Sequence, residues 1–205
     1  MPLTSDPLAP GPLAPDPLGR GFDRLRIAEL RRETADAISL TFAVPPALAA
    51  RFRFRPGQYL TLRGAVDGQE LRRSYSICSG PAEPLRIAIK RVEDGRFSRW
   101  AHEALATGQA IEVMPPAGRF TVPPARSARH ILAVAAGSGI TPILSVLKAV
   151  LQDEPDTRVT LLYGSRSTAG ILFREELEEL KDRYLTRLSV AHVLSREQQD
   201  IPVLN

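Results

Sequence analysis

The sequence predicts two domains in tandem: a six-stranded antiparallel Greek-key β-barrel, then an incomplete α/β domain built on a parallel sheet. Three observations carry this. Between residues 22 and 116, short segments of alternating apolar and polar residues are separated by turns bearing Pro or Gly. From His130 the alternation gives way to a continuous apolar run, which enters a glycine turn and a helix-periodic segment. The remainder reads β-α-β-α-β, the order of a parallel sheet with right-handed crossovers.

Residues 1–20, MPLTSDPLAPGPLAPDPLGR, include six prolines. Proline lacks the amide proton that a ladder or helix interior needs, so a Pro-rich disordered arm is expected there. The barrel domain is expected over 21–124. Leu25-Arg26-Ile27 begins its first strand, and Ala37–Phe42 is a period-two strand ended by Pro45-Pro46. Pro56-Gly57 turns the chain into a strand over 58–63. Asp67-Gly68 signals a turn into another strand over 69–79. Leu85–Val92 alternates again and is broken by Glu93-Asp94-Gly95. Residues 98–106 read as a short helix. Ile111-Glu112-Val113 forms the sixth strand, stopped by Pro115-Pro116-Ala117-Gly118.

Residues 123–128 are a linker, and the α/β domain is expected over 128–205. His130–Ala135 has the unbroken apolarity of a parallel strand buried on both faces. Ile143, Leu144, Leu147, Val150 and Leu151 recur at helical spacing. A strand over Arg158–Tyr163, a helix over 172–184 and a strand over Leu188–Leu194 follow. Three strands are few for such a domain. It reads as truncated at Asn205, with apolar sheet surface left exposed.

Composition bounds the chemistry. The 205 residues, 43% of them hydrophobic, suffice for a sizeable core. The single cysteine, Cys78, excludes an internal disulfide and any site made of several cysteines, and it fits a reducing, cytoplasmic compartment. No metal-ligand spacing joins His102, His130 and His192. No apolar run is long enough to span a bilayer, and residues 1–20 lack the pattern of a signal peptide. The net charge of +4, nearly all arginine, suits phosphate-bearing ligands or an acidic partner, and equally a generic soluble surface. Aromatic residues, at 6%, are too few for a base-stacking nucleic-acid platform.

Five segments carry candidate chemistry. Arg73-Ser74-Tyr75-Ser76 sets a guanidinium fork, a phenol and two hydroxyls in one strand. Arg73 matches phosphate oxygens, Tyr75 on the same face can pack on a flat redox ring, and Ser76 can reach that ring's edge. This fits FAD; an exposed strand with ordinary polar residues would read the same. Gly95-Arg96-Phe97-Ser98 opens the short helix, where free amides attract phosphate or Ser98 simply caps. Gly137-Ser138-Gly139 lies where the apolar strand meets a helix, the place of a dinucleotide pyrophosphate, or of a tight turn without a ligand. Ser165-Arg166 and Ser195-Arg196 end the second and third parallel strands. With no acid at the second strand's end, they point to the 2′-phosphate of NADPH, or are solvent-facing loop residues.

Together these segments resemble the ferredoxin–NADP reductase superfamily. The resemblance rests on Pro56-Gly57-Gln58-Tyr59, Arg73–Ser76, Ile89-Lys90-Arg91, Gly95–Ser98, Pro115–Phe120 and Gly137–Pro142, and covers residues 22–205. Ile171–Leu177 and Val193–Pro202 are similar to the reductase subunits of phenylacetyl-CoA epoxidase systems. The resemblance implies that Arg73 holds the FAD pyrophosphate and that Tyr75 and Ser76 adjoin the flavin. Thr141 would lie at the flavin–nicotinamide junction, so Tyr75, Ser76 and Thr141 are the catalytic candidates. It further implies cofactor contacts from Ser74, Ile89, Lys90, Arg91, Gly95, Phe97, Ser98, Gly137, Ser138 and Gly139. Ser165, Arg166, Ser195 and Arg196 would hold the 2′-phosphate. In that family electrons leave through a C-terminal [2Fe-2S] domain to di-iron oxygenase subunits, or to a ferredoxin. The cluster cysteines are not in this sequence, so a [2Fe-2S] centre is expected only if a further C-terminal domain exists. Other readings are a different ferredoxin or aromatic-ring hydroxylase reductase, and a flavin-binding protein without productive turnover.

Overall fold

Each hairpin of the first domain follows from its turn chemistry. β3 (Tyr59–Val66) and β4 (Gln69–Ser76) are joined by Asp67-Gly68, both with positive φ (51° and 72°), and Val66 pairs with Gln69. Two successive positive φ values give the turn whose twist matches a right-handed hairpin, and Gly68 adopts its own without strain. β1 (Asp23–Thr34) pairs with β2 (Ala37–Ala43) through two register shifts. The computed structural model describes residues 21–197. The Pro-rich arm over 1–20 and the motif residues 198–202 lie outside the described residues.

β5 (Arg86–Lys90) and β6 (Ala110–Val113) complete a six-stranded antiparallel sheet in the order β4-β3-β6-β1-β2-β5. Its outer strands approach at one bridge, Ile77 to Ile87, beside a Cys78 N–H to Arg86 carbonyl bond of 2.9 Å. Leu25, Ile27, Leu40, Leu60, Leu62, Ile87 and Ile89 fill the inside, all buried. Helix α1 (Arg96–Ala104) packs against β3, β4 and β5, with Phe97 and Ala101 buried. Burying Phe97 stabilises this arrangement by about 1.5–3 kcal/mol. Trp100 lies so close to Gly64 that a Cβ there would sit 2.5 Å from its ring.

The second domain is the parallel sheet β7 (His130–Ala136), β8 (Arg158–Ser165) and β9 (Leu188–Leu194), in that order. Helices α2 (Ile140–Asp153) and α3 (Arg174–Arg183) make the crossovers. Because the strand order is sequential, both right-handed crossovers fall on one face. Ala133, Ala135, Val159, Leu161 and Tyr163 are buried with Leu144, Leu147, Leu177 and Leu180 of the helices. The expectation of a β7 buried on both faces is corrected here: Leu132 and Val134 are 65% and 67% exposed. Their face of the sheet has no helix packed on it among the described residues.

The domains share a packed seam. Ala37, Cys78 and Ala88 of the first domain join the buried cluster of the second. Ser145 of α2 donates to the Ser79 carbonyl at 2.7 Å. Arg86 of β5 donates to both oxygens of Glu176 on α3, at 2.6 and 2.7 Å, and Lys148 of α2 bridges Glu176 and Glu83. The connection 123–128 is held by Glu154, whose carboxylate accepts from the Ala125 N–H and from Arg129.

Candidate functional site

The first half of the site lies at the end of β4. Antiparallel register puts Arg73 opposite Leu62, Ser74 opposite Thr61, Tyr75 opposite Leu60 and Ser76 opposite Tyr59. Arg73 is exposed, with Nη1 on the Arg72 carbonyl at 2.7 Å and no carboxylate paired to it among the described residues. Its fork is free to take an anion. Tyr75 is half-buried, its ring 6.1 Å from Phe97. Burial pushes its phenol up to about 12, against the opposing pull of the Arg73 charge. At neutral pH Tyr75 therefore keeps its proton and is a hydrogen-bond donor.

The Tyr75–Phe97 contact sets the first turn of α1 beside β4. That helix begins at Gly95 with no side chain capping it. Ser98 does not supply a free hydroxyl, because its Oγ donates to the Gly95 carbonyl and accepts the Val92 N–H, both at 3.1 Å. Gly95 has a packing reason: a Cβ would lie 2.5 Å from Ser98 Oγ. Ile89 and Phe97 turn their side chains into the core. Lys90 pairs with Asp36 at 3.3 Å, while Arg91 is exposed.

A cavity of about 900 Å³ opens alongside, lined by Tyr59, Thr61, Met114, Gly118, Arg119 and Arg51 among others. It suits a ligand larger than a single ring. Thr61 Oγ1 and Ser74 Oγ lie 2.9 Å apart, joining this wall to the β4 motif. Sequence reasoning gave Tyr59, Arg119 and Arg51 no role. The signal was the pair of glycine motifs: Gly118 (φ 116°) lies under the Tyr59 ring, where a Cβ would come within 3.0 Å.

The second half is the glycine turn. Gly137 takes φ 51°, and Gly139 caps α2 with no side-chain bond. A Cβ built on either would meet nothing within 4 Å, so both face open space. An open glycine turn leading into the positive end of a long helix fits a pyrophosphate, although the first helical amide, Ile140 N–H, is already taken by the Gly137 and Ser138 carbonyls. Tyr163, fully buried, donates from its hydroxyl to the Gly137 carbonyl at 3.0 Å and accepts the Leu172 N–H at 3.3 Å. It ties the turn to the segment after β8. Thr141 is buried, and its Oγ1 donates to the Ser138 carbonyl at 3.0 Å. The turn touches β5, which brings this half against the first domain.

At the far end, the ladder runs past the strands: Ser195 N–H bonds the Ser165 carbonyl at 3.0 Å, and Arg196 N–H the Arg166 carbonyl at 2.9 Å. The four residues expected to act together are therefore neighbours. Arg166, Ser195 and Arg196 are exposed, while Ser165 faces the helix side and is buried. No group of three or more metal-ligating side chains occurs among the described residues. No helix among them is long and apolar enough to cross a membrane.

Comparisons with known proteins agree with this division. A family model described as an oxidoreductase FAD-binding domain matches residues 24–122, and one described as an oxidoreductase NAD-binding domain matches 133–202. The chain is 46% identical over 187 residues to a subunit of the 1,2-phenylacetyl-CoA epoxidase of Escherichia coli, covering 90% of this chain and 52% of that protein. It is 42% identical over 177 residues to the ferredoxin reductase component of 3-ketosteroid-9-alpha-monooxygenase from Rhodococcus rhodochrous, covering 85% and 50%. The chain thus spans about half the length of the curated relatives it matches.

Among solved structures, phthalate dioxygenase reductase superposes with a TM-score of 0.72 at 30% identity, over 90% of this chain and 56% of that one. That protein is described as a modular structure for electron transfer from pyridine nucleotides to [2Fe-2S]. The FAD/NAD-binding domain of nitric oxide dioxygenase from Vibrio cholerae gives a TM-score of 0.77 at 24% identity, over 88% and 77%, a likeness of fold. The chain belongs to the ferredoxin reductase-type oxidoreductases, with an FAD-binding domain followed by an NAD-binding domain.

Proposed function

We propose that this chain is the FAD- and NADPH-binding part of an oxygenase reductase of the phenylacetyl-CoA epoxidase type. The observation that carries the reading is the contact of the open glycine turn with β5, the strand bridged through Ile87 to Ile77 just after the β4 motif, which sets a nucleotide-type turn against the flavin-type domain. FAD held here would supply the chemistry of hydride acceptance and one-electron release. The chain's residues bind and orient. Arg73 and the first turn of α1 hold the FAD pyrophosphate, Tyr75 packs on the ring and Ser76 reaches its edge. Thr141 braces the glycine turn through Ser138. Arg166 and Arg196 take the 2′-phosphate of NADPH, with Ser195 beside them.

The FAD domain spans 21–124 and the NADPH domain 128–205 in this reading. The electron acceptor is an iron–sulfur centre carried by another domain or a ferredoxin, since one cysteine cannot ligate one. The final acceptor is a di-iron oxygenase acting on phenylacetyl-CoA, supported by the identity to the Escherichia coli epoxidase protein. A second reading changes only the acceptor, and the identity to the 3-ketosteroid monooxygenase reductase favours it. A lone, buried thiol suits a reducing cytoplasm.

The test is spectroscopic. The purified chain should carry flavin absorption that NADPH bleaches faster than NADH does. Arg166→Ala should slow bleaching by NADPH and leave NADH nearly unchanged. A colourless chain that takes up no FAD refutes the flavin assignment, and faster bleaching by NADH refutes the role of the strand-end arginines.

A further inference from the structure

Beside the two exposed arginines at the strand ends sits an acid. Glu197 follows Arg196 directly, yet its carboxylate is turned onto Thr168: the Thr168 N–H donates to Oε1 at 3.0 Å and the Thr168 hydroxyl to Oε2 at 2.6 Å. Thr168 lies two residues beyond Arg166 and opens a short 3-10 turn, Thr168–Gly170. One residue therefore engages both carboxylate oxygens. The arginines themselves are in no ion pair among the described residues, although this carboxylate directly follows Arg196 in sequence and is held at Thr168, two residues from Arg166.

We propose that Thr168 and Glu197 form a latch that sets nucleotide preference by holding a carboxylate away from the two arginines. This rests on the reading of Arg166 and Arg196 as the 2′-phosphate site. A carboxylate at a strand end is the group that binds ribose hydroxyls and rejects a 2′-phosphate. Released, Glu197 would pair with Arg196 or Arg166, neutralise the charge meant for the phosphate and repel the phosphate itself. Held by Thr168, it leaves both forks free. Discrimination here comes from restraining a repulsive group as much as from supplying attractive ones.

The test uses the FAD-loaded full chain and two probes that differ only in the 2′-phosphate: 2′-phospho-AMP and AMP, titrated calorimetrically. Thr168→Val removes the hydroxyl and should lower the affinity ratio of 2′-phospho-AMP over AMP by about tenfold, the equivalent of one charge-assisted hydrogen bond. Thr168→Ser keeps the hydroxyl and should keep the ratio. Thr168→Val combined with Glu197→Gln has no carboxylate to release and should return the ratio to the wild-type value or above. Equal weakening of both probes in Thr168→Val, or a double variant as poor as the single one, overturns the latch alone. A wild-type chain with no preference for 2′-phospho-AMP overturns the underlying phosphate site, and the latch with it.

Discussion

Replacing Glu176 with alanine strips two cations at the domain seam of their shared counter-charge. Arg86 meets both Glu176 oxygens at 2.6 and 2.7 Å, and Lys148 pairs with the same carboxylate. The side chains are mostly enclosed, with exposures of 16% for Arg86, 23% for Glu176 and 7% for Lys148. Removing one partner of a buried pair costs about 3–5 kcal/mol, chiefly because the remaining charge is left desolvated. Lys148 retains Glu83, and Glu176 keeps some contact with water, so the lower end, about 3 kcal/mol, applies. For a chain of this size that lowers Tm by roughly 6–12 °C. Thermal unfolding of the FAD-loaded chain should be followed by circular dichroism and by flavin fluorescence. Glu176→Gln, which keeps the acceptor oxygen, should recover part of the loss. Arg86→Met with Glu176→Leu removes both charges and should be less damaging than Glu176→Ala. A fall in Tm of under about 2 °C for Glu176→Ala would refute the reasoning.

Three further outcomes are expected. Arg73→Ala should weaken FAD binding about ten- to a hundredfold, read by fluorescence titration, and unchanged retention would remove Arg73 from the pyrophosphate site. Gly57→Ala should cost more than Gly68→Ala in urea unfolding, because a Cβ at 57 would lie 1.8 Å from the Phe120 carbonyl whereas one at 68 meets nothing within 4 Å. Gly68→Ala should cost only the positive-φ penalty of about 1–2 kcal/mol, and equal losses would discredit the clash. Acid should destabilise the chain through Glu154. Burial pushes its carboxyl up, but Arg129, Thr157 and the Ala125 N–H outweigh this and hold it below its ordinary value of 4.5. A folded pKa below the unfolded one gives stability that is complete above pH 4.5 and drains as pH falls through the folded value. Glu154→Gln should flatten that acid limb of the Tm–pH curve, and an unchanged limb would count against it.

The strands of the first domain were legible because alternation is a local property: Ala37–Ala43 and Arg86–Lys90 declare an inner face residue by residue. β1 was underestimated. Its second half, Leu30–Thr34, is held by pairing to β2 across a register shift at Arg32/Thr34, and nothing local in Arg31-Arg32-Glu33 announces a strand. β7 was misread because periodicity reports apolarity and not what covers it, and Leu132 and Val134 face away from both helices. The glycine turn and the arginines at the strand ends stand out through residue type alone, and they sit in the fold where the sequence placed them. Glu176, Lys148 and Arg86 do not, since a helix rich in Glu and Lys looks like a solvated face until topology sets it against another domain. Ser98 was read either as a phosphate donor or as a local cap, and its hydroxyl bonds within its own loop, to the Gly95 carbonyl and the Val92 N–H.

Cys78 gives the seam a clock. Its sulfur is fully buried, and burial pushes the thiol up to about 12. The thiolate is the reactive form, so the folded chain should be inert to maleimide at neutral pH. Although it follows β4 of the first domain, Cys78 packs in the cluster of the second, so reagent reaches it when the seam opens, by parting of the two halves or by local unfolding. It is also the sole thiol in the sequence, which makes every labelling event report that one opening. Labelling rates therefore measure how often the seam opens, on a timescale that equilibrium unfolding does not resolve. A ligand that spans both halves should slow the clock in proportion to its occupancy.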